Sequence, residues 1–168
     1  MRLVIIAFSF LGLFACSAHK ESKITFDKLE VRESIKDSPR KVLKDSVLYS
    51  LRAGDRGLET NEYKRENWII KASNNEELNE LTRSENAFIK VIGLKGLFLT
   101  KDKKWFEALV PMLRDTGEYV AFQDGCLTTD YRLPEYCLLA ILRYETMDGI
   151  LTKDQTNEID RLIVVLLC

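Results

Sequence analysis

The chain holds one histidine, His19, and four cysteines, Cys16, Cys126, Cys137 and Cys168, which removes most familiar catalytic machinery. A Ser-His-Asp triad or a Cys-His dyad needs an imidazole beside the nucleophile. His19 stands in a polar stretch, Ser17 to Lys23, ahead of the patterned part of the chain. The cysteines show no Cys-x-x-Cys spacing, so three thiols without a histidine make a poor metal site. Carboxylate-pair chemistry asks only that two acids meet in space, and Glu107, Asp115, Asp124, Asp130 and Glu135 are the candidates. Asp124-Gly-Cys-Leu-Thr-Thr-Asp130 lacks the spacing of a calcium loop and reads as a turn in which Gly125 supplies a special backbone angle. No phosphate-binding glycine loop or nucleophile elbow occurs. The expectation is a chain with no catalytic residues, no metal and no cofactor.

Recognition chemistry is better represented. Tyr119, Phe122, Tyr131 and Tyr136 lie in or beside a stretch that reads as irregular, Tyr119 to Arg132, with Asp124 and Asp130 between them. Aromatic rings with polar neighbours on a loop suit a partner-binding surface. The competing reading is that the rings fill space where helices separate. Trp68 and Trp105 read as core anchors.

The first sixteen residues say where the protein works. Arg2 precedes an apolar run from Leu3 to Leu13, too short to span a bilayer, which ends in Leu13-Phe14-Ala15-Cys16. This resembles a bacterial lipoprotein signal with a lipobox, although Phe14 stands where a smaller residue is usual. The resemblance implies cleavage before Cys16, with residues 1–15 as signal peptide, Cys16 lipidated and residues 16–23 as a flexible tether. It implies a bacterial envelope protein held to the membrane by its acyl chains. Ser17, rather than aspartate, after the cysteine points to the outer membrane. An oxidising compartment then permits a Cys126–Cys137 disulfide, worth on the order of 3 kcal/mol for a loop of about a dozen residues. Buried reduced cysteines are the alternative, with Cys168 free or bonded between molecules.

Residues 24–168 read as one domain with helix signals throughout. Ser38-Pro39 opens a helix that Ala53-Gly54 closes, and Asn61 caps the next. Asn74-Asn75-Glu76-Glu77 has the form of a capping box, as does Thr152-Lys-Asp-Gln155. Ser84, Asp102 and Leu133-Pro134 open helices carrying Phe88 to Phe98, Phe106 to Leu113, and Cys137 to Leu142. Little strand-like alternation is visible, so the expected class is all-α.

Within this pattern Leu78-x-x-Leu81 aligns with Val110-x-x-Leu113, and Leu99-Thr-Lys-Asp102 recurs as Leu151-Thr-Lys-Asp154. Glu77-Leu-Asn-Glu-Leu81, Asn86-Ala-Phe-Ile-Lys90 and Leu109-Val-Pro-Met-Leu-Arg-Asp115 resemble HEAT-like α-helical repeats. The resemblance implies a short stack of helical hairpins with a repeat-like core over about 74–146; an irregular helical bundle is the alternative.

The charge balance of −1 moves to −2 when Arg2 is removed with the signal, because no acid leaves with it. Nothing in that balance offers a footprint for nucleic acid. The functional expectation is a lipid-anchored, non-enzymatic protein-binding module or scaffold with an envelope protein as its partner. The alternatives are an inhibitor or immunity-type lipoprotein and a carboxylate-dependent cell-wall glycan hydrolase.

Overall fold

A computed structural model describes residues 28–42, 47–50, 59–148 and 151–167, with the side chains of 38–42, 141–148 and 165–167 left out. The expected signal peptide, Cys16, the expected tether and Cys168 therefore lie outside the described residues. Seven helices and three strands are described: α1 (Glu33–Val42), β1 (Val47–Tyr49), α2 (Asn61–Ala72), α3 (Asn75–Leu81), α4 (Ala87–Leu99), α5 (Lys104–Arg114), β2 (Tyr119–Asp124), β3 (Leu127–Arg132), α6 (Leu133–Asp148) and α7 (Lys153–Leu167).

The centre of the molecule is α4. Ten of its 13 residues are buried, among them Phe88, Ile89, Ile92 and Leu97. A helix that is apolar all round has to be enclosed, and α2, α3, α5 and β2 all pack on it. Its closest neighbour is α3. A Cβ placed on Gly93 would lie 2.6 Å from the Leu78 carbonyl oxygen and 2.8 Å from the Thr82 nitrogen, so glycine is what lets the two backbones meet. Trp105 of α5 closes one end of the core, its ring 4.9 Å edge-on from Phe98. Trp68, expected beside it as a core anchor, is instead 46% exposed on α2.

Local chemistry explains the helix starts. The Thr60 hydroxyl, one residue earlier than the expected Asn61, accepts the Tyr63 N–H at 3.1 Å. Asn74 and Glu77 form the expected capping box reciprocally, at 2.9 and 3.0 Å. Asn86 rather than Ser84 caps α4, accepting from Phe88 and Ile89. Thr152 and Gln155 cap α7 in the expected way, at 3.3 and 2.9 Å. Glu77 has a second duty, receiving the Arg32 guanidinium on both oxygens at 2.7 and 2.8 Å while the same arginine reaches the Ala72 carbonyl at 2.6 Å. That fork ties the segment before α1 to the α2–α3 corner. Across the core Lys95 of α4 pairs with the buried Glu66 of α2.

The all-α expectation is overturned, and the HEAT-like stack with it: the protein is a mixed α/β fold. A three-stranded sheet of order β1-β2-β3 lies against the helices, with β1 parallel to β2 and β2 antiparallel to β3. The stretch expected to interrupt the helices irregularly is the β2–β3 hairpin, turned by Gly125-Cys126. Gly125 takes φ +59° and Cys126 stays at negative φ, the signature of a type II′ turn. The helix expected to begin at Ser38 is also corrected. The first helix runs through Ser38-Pro39 from Glu33 and ends at Val42, and Val47-Leu48-Tyr49 pairs with β2. Residues 43–46 and 51–58 of that expected helix and the loop after it lie outside the described residues.

Candidate functional site: the outward face of the hairpin

Strand parity divides the expected recognition residues into two sets. Val120 and Phe122 of β2 point inward with Leu48 of β1, and all three are buried. Tyr131 stands opposite Val120 on the same face and is half-buried. The Phe122 and Tyr136 rings are 5.4 Å apart, with Tyr131 6.3 Å from Tyr136 and 6.5 Å from Phe122. Phe122, Tyr131 and Tyr136 are thus one cluster joining the sheet to α6. These rings fill the space between the sheet and α6, and of the three only Tyr131 keeps substantial exposure.

Tyr119, Ala121 and Gln123 alternate onto the opposite face, opposite Arg132, Asp130 and Thr128 of β3 respectively. Tyr119 is 56% exposed, and Thr128, Asp130 and Arg132 are exposed around it. The site this face forms is a flat aromatic and charged patch, an aromatic ring beside a guanidinium with a carboxylate two residues along. Asp124 sits at the turn, exposed. Arg132 and Thr128 were missed by sequence reasoning, which looked for aromatics and acids. The signal that finds them is the two-residue period of Thr128-x-Asp130-x-Arg132 folding back from an Asp-Gly turn.

Three contacts fix the base of this hairpin. Lys90 of α4 donates to both Glu118 carboxylate oxygens at 2.9 Å and to Asp115 at 3.3 Å, holding the chain just before β2. The Leu133 N–H donates to the Glu118 carbonyl at 2.9 Å, which extends the ladder by one pair. The Arg132 N–H donates to Glu135 Oε2 at 3.0 Å, so that acid serves the start of α6.

The remaining candidates disperse. Glu107 is exposed on α5, Asp115 is committed to Lys90, Glu135 caps α6, and Asp124 and Asp130 sit at the turn and on the outward face. No two of these acids are brought into one cleft by the described contacts. Cys126 and Cys137 are not bridged. The first is exposed in the turn, while the second is buried on α6 against α4. Burial pushes the Cys137 thiol up to about 12, with Lys90 pulling it weakly down. Such a thiol is a packing group, not a nucleophile. Among the described residues no group of three or more His, Cys, Asp or Glu side chains is placed to hold a metal, and no helix is long and apolar enough to cross a membrane.

No family model, curated protein or solved structure matches the chain.

Proposed function

We propose that the protein is a lipid-anchored, non-enzymatic envelope protein that binds another protein through the outward face of its β2–β3 hairpin. The observation that carries this reading is the exposed patch of Tyr119, Asp130 and Arg132 on a sheet whose other face packs Leu48, Val120 and Phe122 into the core. Tyrosine and arginine are among the side chains most enriched where binding energy concentrates, and a sheet presents them on a backbone that is already ordered. The anchor is Cys16, acylated after cleavage of residues 1–15, and Ser17 after it favours the outer membrane. Leu127, 75% exposed beside the turn, favours the inhibitor as a second reading, with the hairpin tip as its plug.

Two experiments test this. Metabolic labelling with a radiolabelled fatty acid should mark the chain and fail for Cys16→Ser. Capture from the native envelope should give a partner with the full chain and lose it with Tyr119→Ala/Arg132→Glu, after circular dichroism shows the variant folded. A partner retained equally by that variant refutes the assignment of the face.

A further inference from the structure

The free edge of β3 has a definite set of main-chain groups. Because Asp124 and Leu127 flank a two-residue turn, Leu127, Thr129 and Tyr131 exchange their main-chain bonds with β2. The bond from Leu133 to Glu118 continues the same parity. The N–H and C=O groups of Thr128, Asp130 and Arg132 therefore face away from β2. Arg132 gives its N–H to Glu135. Thr128 and Asp130 keep theirs directed outward, and among the described residues no strand lies beyond β3. This edge is six residues long and contains no proline or lysine, two of the usual devices that discourage pairing.

We propose that β3 pairs antiparallel with β3 of a second copy about a two-fold axis at Thr129, joining two three-stranded sheets into one of six strands. The register follows from fit, since a pairing centred on Thr128 sets Tyr131 across from the partner's turn at Gly125 and leaves Leu127 without an aromatic neighbour. A pairing centred on Asp130 sets that carboxylate against the partner's Asp130. One centred on Tyr131 needs the Arg132 N–H that Glu135 already holds, and drives buried Leu133 at the start of α6 against the other strand. Centred on Thr129, Thr128 exchanges both main-chain bonds with the partner's Asp130, and Asp130 does the same with the partner's Thr128. Leu127, the most exposed large apolar side chain described, then lies across from the partner's Tyr131. Threonine pairs and aromatic–aliphatic pairs are favourable cross-strand neighbours. Only a second copy supplies that match from both sides at once, the self-complementarity a two-fold interface requires. The pairing uses the edge and leaves the outward face open, so it stands apart from the reading of partner binding above.

The test uses the full chain in detergent with Cys126→Ser and Cys168→Ser, so that neither the turn thiol nor the last residue takes part. Across the proposed axis Thr129 faces the partner's Thr129 in a non-hydrogen-bonded pair, where Cα atoms are about 4.5 Å apart, within the span of a disulfide. With oxidised glutathione as oxidant, Thr129→Cys should form a covalent dimer at least about tenfold faster than Asp130→Cys. In sedimentation velocity the parent should dimerise with concentration. Asp130→Pro removes an N–H that β2 does not use and should raise the dimer Kd at least about tenfold, with an unchanged circular dichroism spectrum. Equal crosslinking rates, faster crosslinking of Asp130→Cys, or a parent that stays monomeric at every concentration reached would each overturn the proposal. The thiol comparison keeps the test decisive if Asp130→Pro fails to fold.

Discussion

Replacing Glu77 by glutamine should flatten the acid limb of the protein's stability. Glu77 is buried at the N-terminus of α3, where its carboxylate takes both arms of the Arg32 fork and the Asn74 N–H. The Arg32 hydrogen bonds hold it down to about 2 from an ordinary 4.5, against the opposing effect of burial. A carboxyl whose folded pKa is depressed contributes stability that is complete above its unfolded pKa and is lost as pH falls towards the folded one. The shift corresponds to about 3 kcal/mol at neutral pH, of which about 2 kcal/mol disappears between pH 5 and pH 3. Glutamine retains a carbonyl oxygen to accept from Asn74 but cannot gain or lose that charge.

The assay is urea unfolding followed by circular dichroism at steps from pH 7 to pH 3, for the parent and for Glu77→Gln. The gap between them should be about 3 kcal/mol at pH 7 and narrow to about 1 kcal/mol at pH 3. Arg32→Met should reproduce most of the loss and remove most of the narrowing, because the remaining acid keeps only its burial and its cap. A gap that stays constant over this range would refute the argument, since it would mean that Glu77 acts by packing alone.

Three further outcomes follow from the packing and the turn. Gly93→Ala should lower the unfolding free energy by about 2 kcal/mol or more, visible as a drop in Tm, because its methyl meets the α3 backbone, which cannot swing away as a side chain would; the gain of about 1 kcal/mol in helix propensity does not offset this. Gly125→Ala has open space around it and should cost backbone strain alone, about 1–3 kcal/mol, because the first position of a II′ turn is one that glycine adopts freely and other residues do not. At pH 8, peptide-level mass spectrometry after iodoacetamide treatment should find Cys126 labelled rapidly and Cys137 labelled only after denaturant is added.

How far the chain could be read depends on which signals are local. The capping pairs Asn74/Glu77 and Thr152/Gln155 were legible because a cap is decided within one turn of backbone. The apolar length of α4 was legible too. The strands were not. Leu43, Val47 and Leu51 match a helical face, and only Leu48 of β1 is fully buried, so the competing two-residue period had almost no length in which to show itself. In the hairpin, aromatic residues occupy both parities, Tyr119 outside and Phe122 inside, which disguises the alternation. The sequence offers six residues for recognition, and without the strand assignment nothing in it separates Tyr119 and Asp130 from Phe122 and Tyr136. Parity made that division, and it also brought Arg132 to the face.

The parallel pairing of β1 with β2 has a consequence for any work on that face. The connection between them, from Ser50 to Glu118, contains α2, α3, α4 and α5. A parallel pair cannot close through a tight turn, so its main-chain bonds form only when the helices between have brought the strands together. Lys90 adds a second tie by holding Glu118 to α4 immediately before β2. The three-stranded sheet is therefore a product of the helical core, and the hairpin excised as a peptide keeps only two of its strands, a ribbon marginally stable at best in water. Truncating Phe122 or Tyr136 opens a cavity where the sheet meets α6, costing about 3–5 kcal/mol at a buried ring, and any loss of binding would then report loss of structure. Tyr119, Asp130 and Arg132 project from the other side of the same strands and touch none of that packing. Substitutions there separate recognition from folding, and they are the ones on which the binding proposal stands or falls.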